Sequence, residues 1–344
     1  MSSSYEDSTF DDIEEFTGEE DSSGASRRKK GCCIALVLAL LIPMLVVGAI
    51  VGSYFWGLHN TYTKNVDTVE LEEKDRQAQG KGTNILLLGS DKRSPEEAEK
   101  SGVVGQRSDV IMLVHISEDN KQMYVTSFPR DLYIDIPGHG KDRINAALAY
   151  GGVPLATQTV ENYVGVKIDH VALVDFDGIQ KIVDTLGGVD VEVAQNFEGD
   201  GKTFTKGTQH MDGETALIFV RQRMQLADGD FERNANQRRL LAAIMKKIIS
   251  ADTLSDPQKV QALTEDLSPY LTVDSGLTSS TIASLAFDSR SIRSSDIRYG
   301  SVPHGGPTTT SGGASVVATD EAAMDEFRTA IKNDAMEEWH SRNH

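Results

Sequence analysis

Cysteine is nearly absent from this chain. The only two, Cys32 and Cys33, are adjacent, so neither a disulfide framework nor a thiolate metal cluster is available and the fold rests on its apolar core. Small apolar residues at a membrane edge are the simpler reading of the pair; S-acylation is the less favoured one. Excess positive charge is also missing. With 34 Lys and Arg against 52 Asp and Glu, the net charge of -18 opposes long-range attraction to nucleic acid or to an acidic membrane surface. No Gly-x-Ser-x-Gly elbow, phosphate-binding Gly-Lys-Ser loop or dinucleotide fingerprint occurs, which argues against hydrolase triads, nucleotide hydrolysis and hydride transfer. His115, His139 and His170 have no metal-ligand partners at helical spacing.

What is present begins with a Ser-, Asp- and Glu-rich stretch over residues 1–30, read as a disordered acidic tail that ends in the basic cluster Arg27 to Lys30. From Gly31 to Asn60 there is no Asp, Glu, Lys or Arg. Residues 32–57 are long enough to cross a hydrocarbon core of about 30 Å as a helix. No clear small-x-small cleavage site precedes Tyr54, Phe55 and Trp56, so a retained anchor is expected. Basic residues before the helix and aromatics after it place the N-terminus inside and the remainder outside, by the positive-inside rule. The expected localisation is therefore the cell membrane, single-pass, with residues 58–81 as a polar stalk. Nine acidic and four basic residues lie in the inner tail, so most of the negative charge is external. A nucleic-acid partner is excluded on side and on sign.

The external part alternates. Asn84 to Leu88, Val110 to Ile116, Met123 to Phe128, His170 to Val174, Val189 to Val193 and Ile297 to Val302 read as strands. Ile144 to Tyr150 and Pro154 to Val164 read as helices interrupted by Gly151 and Gly152, and Phe176 to Leu186 as another. Lys202 to Gly213 reads as a polar excursion, Glu214 to Phe219 as a helix or buried segment, and Asn234 to Ile249 as an amphipathic helix with Arg233 and Gln237 in its N-terminal turn. Further helices are expected over Pro257 to Leu267, Ser279 to Phe287 and Glu321 to Trp339. The fold class is α/β: a single extracytoplasmic domain, residues 82–302, with a central sheet covered by helices and preceded by one transmembrane helix. Residues 303–344 read as a C-terminal tail with a helix.

Charge collects where apolar runs end: Asp91, then Arg107 with Asp109, then Arg130, then Arg221 with Arg223, then Arg233 with Gln237. Guanidinium is permanently charged, and its planar fork suits bidentate capture of phosphate oxygens. Two neighbouring carboxylates need a cation between them, and hard oxygen ligands suit Mg²⁺ beside a substrate phosphate. Taken singly, each group has a plain alternative. Asp91 can cap a turn, Arg107 can pair with Asp109, Arg130 with Asp131 can form a solvated corner, and Arg221 with Arg223 can complement a helix dipole.

In this order the segments NILLLGSD (Asn84 to Asp91), RSD (Arg107 to Asp109), SFPRD (Ser127 to Asp131), RINAALAYGG (Arg143 to Gly152), VDTLGGVDVEV (Val183 to Val193) and MDGETALIFVRQR (Met211 to Arg223) closely resemble the LytR-CpsA-Psr family of cell-wall glycopolymer ligases. The resemblance runs from Lys81 to about Ile249. It implies a membrane-anchored, Mg²⁺-dependent phosphotransferase that moves a glycopolymer, such as teichoic acid or capsule, from a polyprenyl pyrophosphate carrier onto peptidoglycan. A pyrophosphatase side activity is compatible with it. Asp91 and Asp109 match the residues that hold Mg²⁺. Arg107, Arg130, Arg221, Arg223, Arg233 and Gln237 match those that bind the pyrophosphate, with Asp91, Asp109, Arg107 and Arg130 as the catalytic set. A hydrophobic lipid groove between sheet and helices is implied as well. One departure stands out: Asn236 occupies a position where the family carries arginine, and Glu232 one where it carries glycine. The alternatives are an anchored module that binds polyprenyl phosphate or anionic polymer without turnover and, less favoured, a transcription regulator.

Overall fold

The structure, a computed structural model, describes residues 52–343 except 73–75, 91–107, 223–229, 249, 251, 252, 254 and 255. The acidic tail and most of the expected anchor lie outside the described residues. Among the described residues no helix is long and apolar enough to cross a membrane. Gly57 to His344 form one compact unit.

Helix α1 covers residues 52–65 and is followed by strand β1 (Asp67–Val69). The next elements are β2 (Thr83–Ser90), β3 (Ser108–Ile116), β4 (Met123–Ser127) and the hairpin β5 (Tyr133–Ile136) and β6 (Gly140–Arg143). Helix α2 (Ala146–Val164), β7 (His170–Asp175), α3 (Phe176–Thr185) and β8 (Val189–Val193) follow. Three short strands, β9 (Phe197–Gly199), β10 (Lys202–Phe204) and β11 (Gly207–Met211), lead to α4 (Gly213–Arg221) and α5 (Asp230–Ile248). The chain closes with α6 (Pro257–Leu267), β12 (Leu271–Asp274), α7 (Ser279–Asp288), β13 (Ile297–Ser301), β14 (His304–Thr309), β15 (Ser315–Thr319), α8 (Glu321–Asn333) and α9 (Met336–Asn343).

Seven strands form the central mixed sheet, in the order β1-β12-β7-β2-β3-β4-β13. Strand β2 runs parallel to β7 and antiparallel to β3, while β4 runs antiparallel to β3 and parallel to β13. The carboxyl ends of β2, β4, β7 and β13 and the amino end of β3 therefore share one edge of the sheet. That edge carries the strand-end charges.

Alternation of side chains splits the apolar residues between two cores. Leu86 and Leu88 of β2 and Ile111 and Leu113 of β3 face a core completed by α2, α8 and α9, in which Phe327 and Ile331 are fully buried. Ile85, Leu87, Val110, Met112 and Val114 face the other, completed by α3, α4 and α5. Helix α2 is interrupted as the glycine pair predicts: Gly152 takes φ 66°, a left-handed value that favours glycine.

Several expectations change. Residues 58–81 are no free stalk. Tyr62 and Val66 are buried, β1 pairs with β12, and Arg76 forms a buried ion pair with Glu161. The polar composition hid this because one short edge strand and one ion pair need few apolar residues. The region after residue 302 is no tail either, since Met324, Phe327, Ile331 and Trp339 belong to the core. The single helix expected over Glu321 to Trp339 is two, broken at Asp334, which adopts φ 59° and accepts a hydrogen bond from the Glu118 amide at 3.1 Å. Lys202 to Gly213 is not an irregular excursion, because it supplies β10, paired with β9, and β11, paired with β8. Strand β8 accordingly stands outside the central sheet.

Candidate functional site at the strand ends

The site-bearing edge is built by the register of β2 and β3. Gly89 pairs with Val110 and Ser90 with Ser108, which leaves Asp109 as the extra residue of a bulge. A bulge bends the strand and re-aims side chains there. Ser108 Oγ holds the distortion by donating to the carbonyls of Gly89 at 3.1 Å and Val110 at 2.6 Å. Asp91 would follow directly after Ser90, but Asp91, Arg107 and Arg223 lie outside the described residues, and of Asp109 and Arg233 only the backbone is described.

Helix α4 brings in the next group. Asp212 caps it, its side chain accepting from the Thr215 amide at 2.8 Å. Gly213 sits so close to α3 that a Cβ there would lie 2.3 Å from the Gln180 carbonyl oxygen, which fixes a glycine at this point of the MDGETALIFVRQR segment. From beneath, Phe197, Phe204 and Phe219 pack together with ring centroids 4.6 to 5.9 Å apart. Aromatic clustering of this kind pins the helix to the β9–β10 hairpin. Its last residue, Arg221, is exposed.

Helix α5 starts at Asp230, earlier than the periodicity suggested, so Arg233 lies in its first turn and Gln237 a turn further in. Gln237 is therefore inside the helix rather than at its anion-favouring terminus. Its side chain is buried, and its Oε1 has no hydrogen-bond partner among the described residues. A buried amide oxygen left without a donor costs about 1–3 kcal/mol, a debt that an arriving hydrogen-bond donor would cancel.

Gln237 lines an apolar cavity of about 70 Å³ together with Leu87, Gly89, Val110, Ile182, Val220, Leu241 and Ile244. This lining contains one of the sequence candidates and chain neighbours of three others. Gly89 precedes position 91 by two residues, Val110 follows Asp109, Val220 precedes Arg221, and Gln237 is itself in the wall. Arg130 stands on the same edge, just beyond β4, where the Phe128 amide donates to the Ile111 carbonyl at 2.9 Å. Its Nε lies 3.4 Å from Asp131 Oδ2, and Arg143 Nε lies 3.6 Å from the other oxygen of the same carboxylate.

One carboxylate was missed from sequence. Asp175 ends β7 directly beside Ser90. The signal was the same one that picked out Asp91, a charge closing an apolar strand; the strand had been ended one residue short.

Among the described residues no cluster of three or more His, Cys, Asp or Glu could hold a metal. A model of the LytR_cpsA_psr family matches residues 54–333. The chain belongs to the LytR_cpsA_psr family. This LytR_cpsA_psr chain is 32% identical over 244 residues to a polyisoprenyl-teichoic acid–peptidoglycan teichoic acid transferase TagU of Enterococcus faecalis, covering 70% of this chain and 78% of the relative. A TagU of Bacillus cereus is 35% identical over 247 residues, covering 68% and 78%. Among solved structures, TagV of B. subtilis superposes with a TM-score of 0.62 at 26% identity, over 75% of this chain and 98% of that one. TagT bound to LI-WTA superposes with a TM-score of 0.59 at 27% identity, over 78% and 99%.

Proposed function

We propose that the chain is a membrane-anchored phosphotransferase that moves a wall glycopolymer from a polyprenyl pyrophosphate carrier onto peptidoglycan. The observation that carries this reading is the junction of an apolar cavity with a charged strand edge. Greasy walls from Leu87, Val220, Leu241 and Ile244 meet the buried amide of Gln237, and Val110 and Val220 of the same lining are chain neighbours of Asp109 and Arg221. An amphiphile with a long apolar chain and an anionic head matches that polarity. The cavity is small, about the share of two waters. A polyprenyl chain would therefore be admitted by displacement of α5, whose groove-lining Leu241 is only partly buried.

Phosphoryl transfer asks little covalent chemistry of a protein; it asks for positioning and for neutralised charge. Arg107, Arg130, Arg221, Arg223 and Arg233 supply the positive charge, and Gln237 supplies an amide that can donate once its partner arrives. Asp91 and Asp109 are the carboxylates suited to Mg²⁺: the bulge opposite Gly89 and Ser90 sets position 109 close to the end of β2, and their oxygens are hard donors. Bound there, the ion would neutralise pyrophosphate oxygens.

In the reaction the acceptor oxygen bonds to the phosphorus that bears the glycopolymer. The bridging P–O bond breaks, polyprenyl monophosphate leaves with the electron pair, and the hydroxyl proton passes to a strand-end carboxylate. The test is release of polyprenyl phosphate by wild type and by the Asp91→Ala and Arg221→Ala variants, with and without magnesium. Release that needs magnesium and falls at least about a hundredfold in both variants supports the reading; wild-type rates in either variant contradict it. A binding module without turnover is the second reading, favoured by Asn236, whose uncharged side chain stands where the family carries arginine. It requires tight lipid binding with no release of polyprenyl phosphate under any condition.

A further inference from the structure

Helix α5 separates two grooves. Gln237, Leu240, Leu241 and Ile244 line the apolar one. Ala235, Arg239 and Ala242 line a second, of about 370 Å³, whose other wall is formed by Ser127 of β4 and by Tyr299, Gly300 and Ser301 of β13. At about 100° per residue these two sets lie on opposite sides of the helix, with Asn236 buried between them.

The second groove differs in chemistry. Met112 and Val125 line it beside the small residues Ala235, Ala242 and Gly300, and Ser127, Arg239, Tyr299 and Ser301 supply its polar groups. Ser127 Oγ donates to the Gly300 carbonyl at 3.1 Å, and Ser301 Oγ donates to the Ser127 carbonyl at 3.3 Å, so the strand ends that form the wall are locked together. Tyr299 presents a 41% exposed aromatic ring, and burial of part of that ring pushes its hydroxyl pKa up. Arg239 is held in place because its Nη1 donates to Asn236 Oδ1 at 2.8 Å. Asn236 thus positions an arginine on the groove wall.

We infer that this second groove binds the acceptor glycan, the sugar strand whose hydroxyl attacks the donor. The inference rests on the phosphotransferase reading. In a phosphoryl transfer the attacking and leaving oxygens stand roughly in line on opposite sides of the phosphorus. The leaving polyprenyl phosphate occupies the apolar flank of α5, so the nucleophile must arrive from the other flank, where this groove lies. An exposed tyrosine face, a fixed guanidinium and neighbouring hydroxyls suit a sugar ring with hydroxyl and amide substituents. The groove runs to Ser127, three residues before Arg130.

The test uses the full chain in detergent with lipid-linked polymer as donor and a short uncrosslinked peptidoglycan glycan strand as acceptor. Ala242→Trp fills the groove and Tyr299→Ala removes its platform. Each is expected to raise the acceptor KM about tenfold while the donor KM stays within about twofold. Saturation-transfer NMR of the same glycan strand, without donor, is expected to show binding to wild type and its loss in Ala242→Trp. The groove assignment is overturned if wild type shows no glycan contact, if both variants keep wild-type acceptor KM and contact, or if donor KM rises equally. Glycan contact that Ala242→Trp abolishes, in a wild type that transfers nothing, sustains the groove and overturns the functional reading instead.

Discussion

The two faces of the central sheet are built for different tasks. On one, α2, α8 and α9 bury Phe327, Ile331, Met324 and Trp339 almost completely, and the Phe327 and Trp339 rings meet edge to face at 5.0 Å. On the other, α3, α4 and α5 leave Leu87, Val174 and Leu241 only partly covered and a cavity open beside them. The first face holds the fold together. On the second, packing is incomplete around that cavity, and Gln237 Oε1 has no hydrogen-bond partner among the described residues. Stability and function are therefore separable by face, and substitutions can probe the separation.

The largest effect belongs to the closed face. Phe327→Ala should cost about 4 kcal/mol of stability, read by chemical denaturation, with transfer activity per folded molecule unchanged. Arg76→Ala should cost about 3 kcal/mol by the same measurement, because it strands a buried carboxylate. Among the described residues Glu161 would keep only the Ile168 amide, which donates to it at 2.7 Å. On the open face the signs part company. Gln237→Leu removes an unsatisfied oxygen, so stability should hold or rise by up to about 1 kcal/mol, while donor kcat/KM falls about tenfold. A parallel loss of stability and activity in that variant would dissolve the distinction between the faces.

The smallest effect is a pH dependence at Asp274, on a β12 turn away from both grooves. Its burial raises the carboxyl pKa, but the hydrogen bonds from His170 and from the Val171 and Gly276 amides outweigh this and hold it below the usual 3.8. Since the folded value is the lower one, the unfolded chain takes up the proton first. The stabilisation is complete above the usual carboxylate range and is lost as pH falls through the folded value. Asp274→Asn should flatten the acid limb of the melting-temperature profile and leave transfer at neutral pH unaltered.

Much of this was legible in the chain because period and punctuation carry physical meaning. The apolar runs of β2 and β4 end in charges and that of β3 begins with them, and the alternating strand directions deliver those ends to one edge. The Gly151 and Gly152 pair marked the break in α2. What could not be read was pairing between distant segments. Nothing local in Asp67–Val69 says that it will add to β12, and nothing in the polar sequence around Arg76 announces Glu161 as its partner. The division of Glu321–Asn333 from Met336–Asn343 likewise depends on Asp334, whose Oδ1 meets the His115 ring 3.0 Å away across the fold. The bulge that isolates Asp109 is a product of register, which only the assembled sheet fixes. The contact by which Asn236 holds Arg239 against a groove likewise needed the helix and β13 side by side.

The open face is proposed to accept a polyprenyl chain that ends in phosphate. Native mass spectrometry of the full chain purified from membranes, as wild type and as Leu241→Trp, tests it most directly. Wild type should carry a polyprenyl lipid with a phosphate-containing head, and Leu241→Trp, which plugs the cavity at a partly buried position, should lose that mass while melting within about 4 °C of wild type. A wild type with no such lipid, or a Leu241→Trp protein that retains it in full, would contradict the account.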